Sequence, residues 1–267
     1  MTKRLKFIIF LLLILSGVKP SWAVQECVMN VGWMERPSYQ YADKRNKPQG
    51  FDIDYVKELS KDLSCEIVFR RMPWFRQDKE MLAGRIDILL GALSTGQEDN
   101  QIIVSDSYRQ DPIGYYVLTK NFDTVLDKNI TEILNEGAKL GLITHDTRSE
   151  EIHKLMGKPF YNNRIFLIES AQALLRNLNL NMIDGVMLHA SEIDYLRMVN
   201  NPLVKNIKLV PHLSFMKKAH LISGTKSPLG AEFMTRVNTS IQRLKDNGVT
   251  NKLLMKHVPS HFKIKNQ

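Results

Sequence analysis

Short apolar runs of strand length alternate with stretches whose apolar residues recur at helical spacing. "VMNVGW", "EIVFRRM", "RIDILLGAL" and "DPIGYYVLTK" read as strands. Between them, "GFDIDYVKELSKDL" places Ile53, Val56, Leu59 and Leu63 on one helix face and Lys57, Glu58, Lys61 and Asp62 on the other. "RQDKEMLAG" is a second helix. A second set follows: strand "KLGLIT", helix "RSEEIHKLM", strand "RIFLIE", helix "AQALLRNLNLN" and strand "IDGVMLH". Strand "KKAHLISGTK" and the long helix "LGAEFMTRVNTSIQRLKDNG" close the pattern. Two sets of βα units predict an α/β protein with two lobes, each built on a parallel sheet. Ligands of such sheets bind beyond the carboxyl ends of the strands.

Asp52 and Asp54 follow a Pro-Gln-Gly turn, two residues apart. Paired carboxylates can serve catalysis or hold a metal. At the start of a helix they also satisfy exposed N–H groups and the dipole. The pattern favours the second reading, with Asp52 as the N-cap and Asp54 in the first turn.

The first 23 residues stand apart. Lys3, Arg4 and Lys6 precede the apolar run "FIIFLLLIL", and "SWA" (21–23) has the small residues of a cleavage site. The run is far shorter than the roughly 20 residues a membrane-spanning helix needs. Residues 1–23 are therefore expected to be a signal peptide, and the remainder an exported, periplasmic protein. With Lys3, Arg4, Lys6 and Lys19 removed, the formal net charge falls from +9 to +5. The remaining basic residues are scattered, without the clusters of a nucleic-acid surface. Cys27 and Cys65 are the two cysteines, each opening a strand-like run. In an oxidising compartment they are expected to be bridged if those strands are adjacent and parallel, or else to be two buried thiols.

"GFDIDYVKELSKDL", "LAGRIDILLGALSTGQED", "VSDSY", "IDGVML" and "LKDNG" resemble, in order, landmarks of the bacterial extracellular solute-binding proteins of family 3. These are periplasmic polar-amino-acid receptors of ABC importers. The resemblance covers nearly all of the chain after the signal. It implies the two-lobed type II periplasmic-binding-protein fold, with each lobe a mostly parallel sheet flanked by helices. Residues 24–111 and 217–267 would form lobe 1 and residues 112–216 lobe 2. The crossings would fall near "RQDPIG" and "LSFMKK", with hinge closure on a ligand.

The chain departs from the family at two informative places. Where amino-acid binders usually carry the arginine that clamps the α-carboxylate, the aligned residue is Glu98. Where an aspartate usually takes the α-amino group, it is His189. An arginine fork matches a carboxylate in two bonds, whereas a carboxylate would repel one. Glu98 has a second reading: with Thr95 it completes the capping box "TGQE". Thr147 opens another such box, "TRSE", at a helix N-terminus suited to an anionic group.

The resemblance also implies ligand contacts from aromatic rings at Trp33, Tyr39 and Trp74, with ordinary core as the alternative for each. Leu93, at the end of the third strand, and His145, at the end of "KLGLIT", are further candidates. Arg76 is a candidate cation in place of the missing arginine.

No metal or cofactor motif appears. His257 and His261 are four apart, but Pro259 interrupts any helix between them. The expected function is capture of a small polar, amino-acid-like ligand in the inter-lobe cleft, by a monomer serving an ABC-importer permease or a sensor protein. The alternative is an enzyme on the same fold, resembling cyclohexadienyl dehydratases, with Glu98, His145 and His189 as acid–base groups.

Overall fold

The computed structural model describes residues 27–93, 100–144 and 150–258. The chain runs β1 (Cys27–Trp33), β2 (Tyr41–Ala42), β3 (Pro48–Gln49), α1 (Phe51–Leu63), β4 (Cys65–Arg71), α2 (Trp74–Leu82), β5 (Ile88–Leu93) and β6 (Ile102–Leu118). It continues through α3 (Ile130–Asn135), β7 (Leu140–Ile143), α4 (Glu150–Met156), β8 (Ile165–Ile168), α5 (Ala171–Asn179), β9 (Gly185–His189) and α6 (Ala190–Met198). It ends with β10 (Ile207–Gly224), α7 (Gly230–Asp246) and α8 (Val249–His257).

The strands form one eight-stranded sheet in the order β4-β1-β5-β10-β6-β9-β7-β8. Each end is parallel, as the βα repeats predict, while β10 pairs antiparallel with both β5 and β6, and β6 with β9. The two expected parallel sheets are thus joined, because β6 and β10 are long enough to belong to both. Met29, Leu59, Tyr108, Ala219 and Val237 share one core. Ile113, Tyr115, Leu142, Met187 and Val210 belong to another. β6 passes from the first body to the second between Tyr108 and Ile113, and β10 returns between Val210 and Ala219.

Cys27 lies directly opposite Cys65 in the parallel register of β1 and β4. The two sulfurs are bonded, with Cα atoms 4.5 Å apart, in the range a disulfide requires.

Helix α1 follows the expected pattern, with Ile53, Val56, Leu59 and Leu63 buried. Its start does not. Gly50, not Asp52, occupies the N-cap position, and no side chain caps the helix. Gly50 has φ 114°, and a Cβ there would fall 2.4 Å from the carbonyl oxygen of Tyr39. Glycine is therefore required for α1 to sit against the loop after β1, where Phe51 and Asp52 donate backbone N–H groups to Ser38 and Tyr39.

The two aspartates part company at this point: Asp52 points inward, while Asp54 holds α8 through Lys256 Nζ (2.7 Å) and His257 Nε2 (2.8 Å). Burial alone would raise the Asp54 pKa, but hydrogen bonds from Lys256 and His257 outweigh it and bring it down to about 2. The folded value lies below the unfolded one, so this stabilisation is present above the usual carboxylate range and is lost as pH falls through about 2. Discounted for partial solvation, Asp54→Asn should cost on the order of 1 kcal/mol at neutral pH. Denaturant midpoints of the two proteins should differ at pH 7 and converge at pH 2; a gap independent of pH would show that the charge is not responsible.

Candidate functional site

Where the two bodies meet, the carboxyl ends of β1, β5 and β9 face the middle of β6. The loop after β1 turns tightly: Arg36 and Gln40 exchange both backbone hydrogen bonds, at 2.6 and 2.7 Å, across Ser38, whose φ is 70°. This turn drives Tyr39 and Gln40 inward, and Tyr39 is fully buried.

On β6, Arg109 and Asp111 stand two residues apart and so face the same side, with exposed Gln110 between them. Both side chains are completely buried. Asp52 takes Arg109 Nε at 2.8 Å and Nη2 at 3.2 Å on its two oxygens, and also accepts from Tyr108 OH (2.6 Å) and Gln40 Nε2 (2.8 Å). The other edge of the guanidinium pairs with Asp111. One face lies 3.7 Å from the centroid of the Tyr39 ring. A buried arginine is tolerable only when paired this fully. Burial pushes the Tyr39 and Tyr108 phenols upward, more strongly than the Arg109 charge lowers them, so both are neutral hydroxyls at physiological pH.

His189, the last residue of β9, brings the second body into the same cluster. Its Nδ1 is 3.5 Å from Asp111 Oδ2, and its ring meets Tyr39 edge-on at 6.3 Å. Ser38 Oγ donates across the junction to the Ser191 carbonyl at 3.4 Å. Gly91, near the end of β5, lets two cations approach one point. A Cβ there would lie 2.6 Å from Arg109 Nη2 and 3.1 Å from Arg36 Nη1. Arg36 also donates to the Gly91 carbonyl at 3.1 Å. Two guanidinium and two carboxylate groups thus converge with a histidine and two phenols. The formal charges of the two arginines and two aspartates cancel. Such a set can present donors and acceptors to a polar molecule with little net field.

Of the sequence candidates, Tyr39 and His189 come together here. Trp33 is buried in the first core, with the Arg71 guanidinium 5.3 Å above its ring. Trp74 opens α2 at the same carboxyl-end rim, half-buried against a small cluster that includes Leu89 and Ile222. Arg76 is exposed on α2, near Glu80. Leu93 ends β5 and packs on the first core. Thr95, Glu98, His145 and Thr147 lie outside the described residues. Arg36, Gln40, Arg109 and Asp111 have no site reading in the sequence, and Asp52, one of a possible carboxylate pair, reads there as a helix cap. The available signal was "YRQDP", two charges at strand period beside the apolar run "IGYYVL".

Comparison with known proteins places this geometry. A model of the bacterial extracellular solute-binding proteins, family 3, matches residues 29–260. A probable histidine-binding protein of Neisseria gonorrhoeae is 23% identical over 221 residues, spanning 82% of this chain and 78% of that protein. A histidine kinase sensor domain with similarity to periplasmic binding proteins superposes with a TM-score of 0.69 at 17% identity, over 88% of this chain and 96% of that one. An ancestral arginine-binding protein bound to arginine gives a TM-score of 0.69 at 20% identity, over 86% of this chain and 98% of that one. These likenesses establish the two-lobed fold of type II periplasmic binding proteins. Among the described residues, no helix is long and apolar enough to cross a membrane. With the family model matching most of its length, the chain belongs to the bacterial extracellular solute-binding proteins, family 3.

Proposed function

We propose that this protein is a periplasmic receptor that closes two lobes, 24–111 with 217–267 and 112–216, on a small amino-acid-like solute and delivers it to an ABC importer. The observation that carries the reading is the meeting of Tyr39, Arg36, Arg109 and Asp111 with His189 at the junction of the two bodies. Such convergent polar groups among buried rings are what a solute site needs. The relatives named for histidine and arginine binding support an amino-acid-like ligand. His189 in place of an aspartate argues against the usual grip on an α-amino group, so the ligand is a relative of the ordinary L-amino acids rather than one of them.

Melting the purified protein against amino acids, amines, sugars and organic acids tests this reading. At least one amino-acid-like solute should raise the melting temperature. The ordinary L-amino acids should bind more weakly than roughly micromolar, since an unpaired buried charge costs several kcal/mol. Sub-micromolar binding of an ordinary amino acid would contradict this choice of ligand, and no response to any solute would contradict the receptor reading.

Trp74 is placed in this reading as a ring covering the ligand from the rim of the sheet. Trp74→Ala should weaken binding by about 1–3 kcal/mol. Because one face of the ring already packs on the Leu89 cluster, a fall of a few degrees in melting temperature should accompany the loss. Unchanged affinity in calorimetry, together with a large drop in melting temperature, would make Trp74 core alone.

The sensor-domain likeness favours a second reading, in which the loaded receptor reports to a membrane sensor. Deleting the gene separates the two. Loss of solute uptake marks an importer's receptor, whereas loss of a transcriptional response with uptake intact marks a sensor's.

A further inference from the structure

The second body carries a cavity at the end of its sheet opposite His189. It encloses about 310 Å³ beside Gly137 and Ala138, just before β7, and Asp184, just before β9. Its polar lining includes Glu136 and Asp184, with no basic side chain among the residues that face it. Val125 and Ile133 supply an apolar wall.

Tyr115 of β6 lines this cavity. The residue as a whole is 1% exposed, and its hydroxyl, open to the cavity, makes no hydrogen bond among the described residues. A hydroxyl that opens onto a cavity and has no protein partner is free to bond a ligand atom or a water there. Gly185 makes its placement possible, because a Cβ there would lie 2.1 Å from the Tyr115 hydroxyl oxygen. Any side chain at position 185 would therefore displace the phenol. Asp184 Oδ2 accepts the Lys139 backbone N–H at 2.8 Å, while Oδ1 makes no hydrogen bond among the described residues. Glu136 pairs with Lys128 at 2.6 Å, but both side chains are substantially exposed, and such surface pairs are weak and readily exchanged.

We infer that this cavity is a second binding site, distinct from the junction of the lobes, that takes a small organic ammonium ion with a short apolar tail. The ammonium has three donors and no acceptor. Asp184 Oδ1, the Tyr115 oxygen and a Glu136 oxygen are acceptors spread over floor and rim, and the tail lies along Val125 and Ile133. Neither a carboxylate nor a phosphate fits a lining with two acids and no base.

Amide NMR of the signal-free protein titrated with propylammonium chloride, against sodium chloride at equal ionic strength, tests the inference. The amides of Gly137, Asp184 and Gly185 should shift and saturate. Asp184→Asn should weaken binding by about tenfold or more, and Tyr115→Phe by several-fold, as expected for losing charge-assisted and neutral hydrogen bonds. If Tyr115→Phe does not fold, Glu136→Gln, an exposed change, supplies the second variant and should also weaken binding. His189→Ala should leave the titration unchanged, which keeps this site's failure separate from that of the lobe junction. Shifts that fail to saturate, that persist undiminished in Asp184→Asn, or that appear instead at Arg36, Gln40 and His189 would overturn it.

Discussion

Replacing Asp52 with alanine should destabilise the ligand-free protein by about 3–5 kcal/mol, the usual cost of stripping a partner from a buried ion pair. Asp52 accepts four hydrogen bonds, from Gln40, Tyr108 and both Arg109 donors, in a space closed to solvent. Alanine would leave Arg109 with Asp111 alone and would orphan the Tyr108 hydroxyl as well. For a chain of this size the loss corresponds to a melting temperature roughly 10 °C lower. Asp52→Asn should cost less, since it keeps the side-chain shape and one accepting oxygen, although its amide nitrogen cannot accept and the charge is lost. Thermal unfolding of the two variants checks the ranking. An alanine variant melting within a degree or two of the native protein would show that Arg109 finds water or another partner, and that the cluster is not the closed network described.

Loss of the Cys27–Cys65 bridge is the other large effect. The two residues are separated by 38 positions, and opening that loop frees the unfolded chain by about 4 kcal/mol in the chain-entropy picture. The bridge ties β4, an edge of the sheet, to β1, and the loop that follows β1 carries Arg36 and Tyr39. A Cys27→Ser, Cys65→Ser protein should therefore unfold at clearly lower denaturant concentration. Protein taken unreduced from its export compartment should offer no thiol to alkylation. Two alkylated cysteines in that sample, or a serine variant as stable as the native protein, would contradict the bridge.

Much of the fold was legible because its signals are local. The Cys27–Cys65 register follows from two strand-like runs that begin alike, and the buried face of α1 from the spacing of Ile53, Val56, Leu59 and Leu63. The joining of the two sheets was not. Only "DPIGYYVLTK" and "KKAHLISGTK" read as strands, yet β6 and β10 begin nine and ten residues earlier, at Ile102 and Ile207. Their extra lengths hold Ser105, Asp106, His212 and Ser214, polar positions allowed where a strand passes between two bodies. The helices α3, α6 and α8, of six to nine residues, carry too few turns for periodicity to stand out.

The site was half legible for a related reason. Tyr39 and His189 stood out through family resemblance. Arg109, Asp111 and Asp52 did not, because charged residues are ordinarily read as surface, and only the third dimension shows three of them closing on one another. Asp52 is the clearest case: a position suited to capping a helix instead turns inward, because Gly50 has already set the helix start and Arg109 awaits a partner.

The most direct test is calorimetric titration with the solute that most raises the melting temperature, using the native protein and Tyr39→Ala and His189→Ala variants. One-to-one binding at roughly micromolar affinity or better, weakened at least about tenfold by each substitution, is the predicted result for a ligand held at the junction of the lobes. Binding that both variants retain at full strength would place the solute elsewhere and contradict the account.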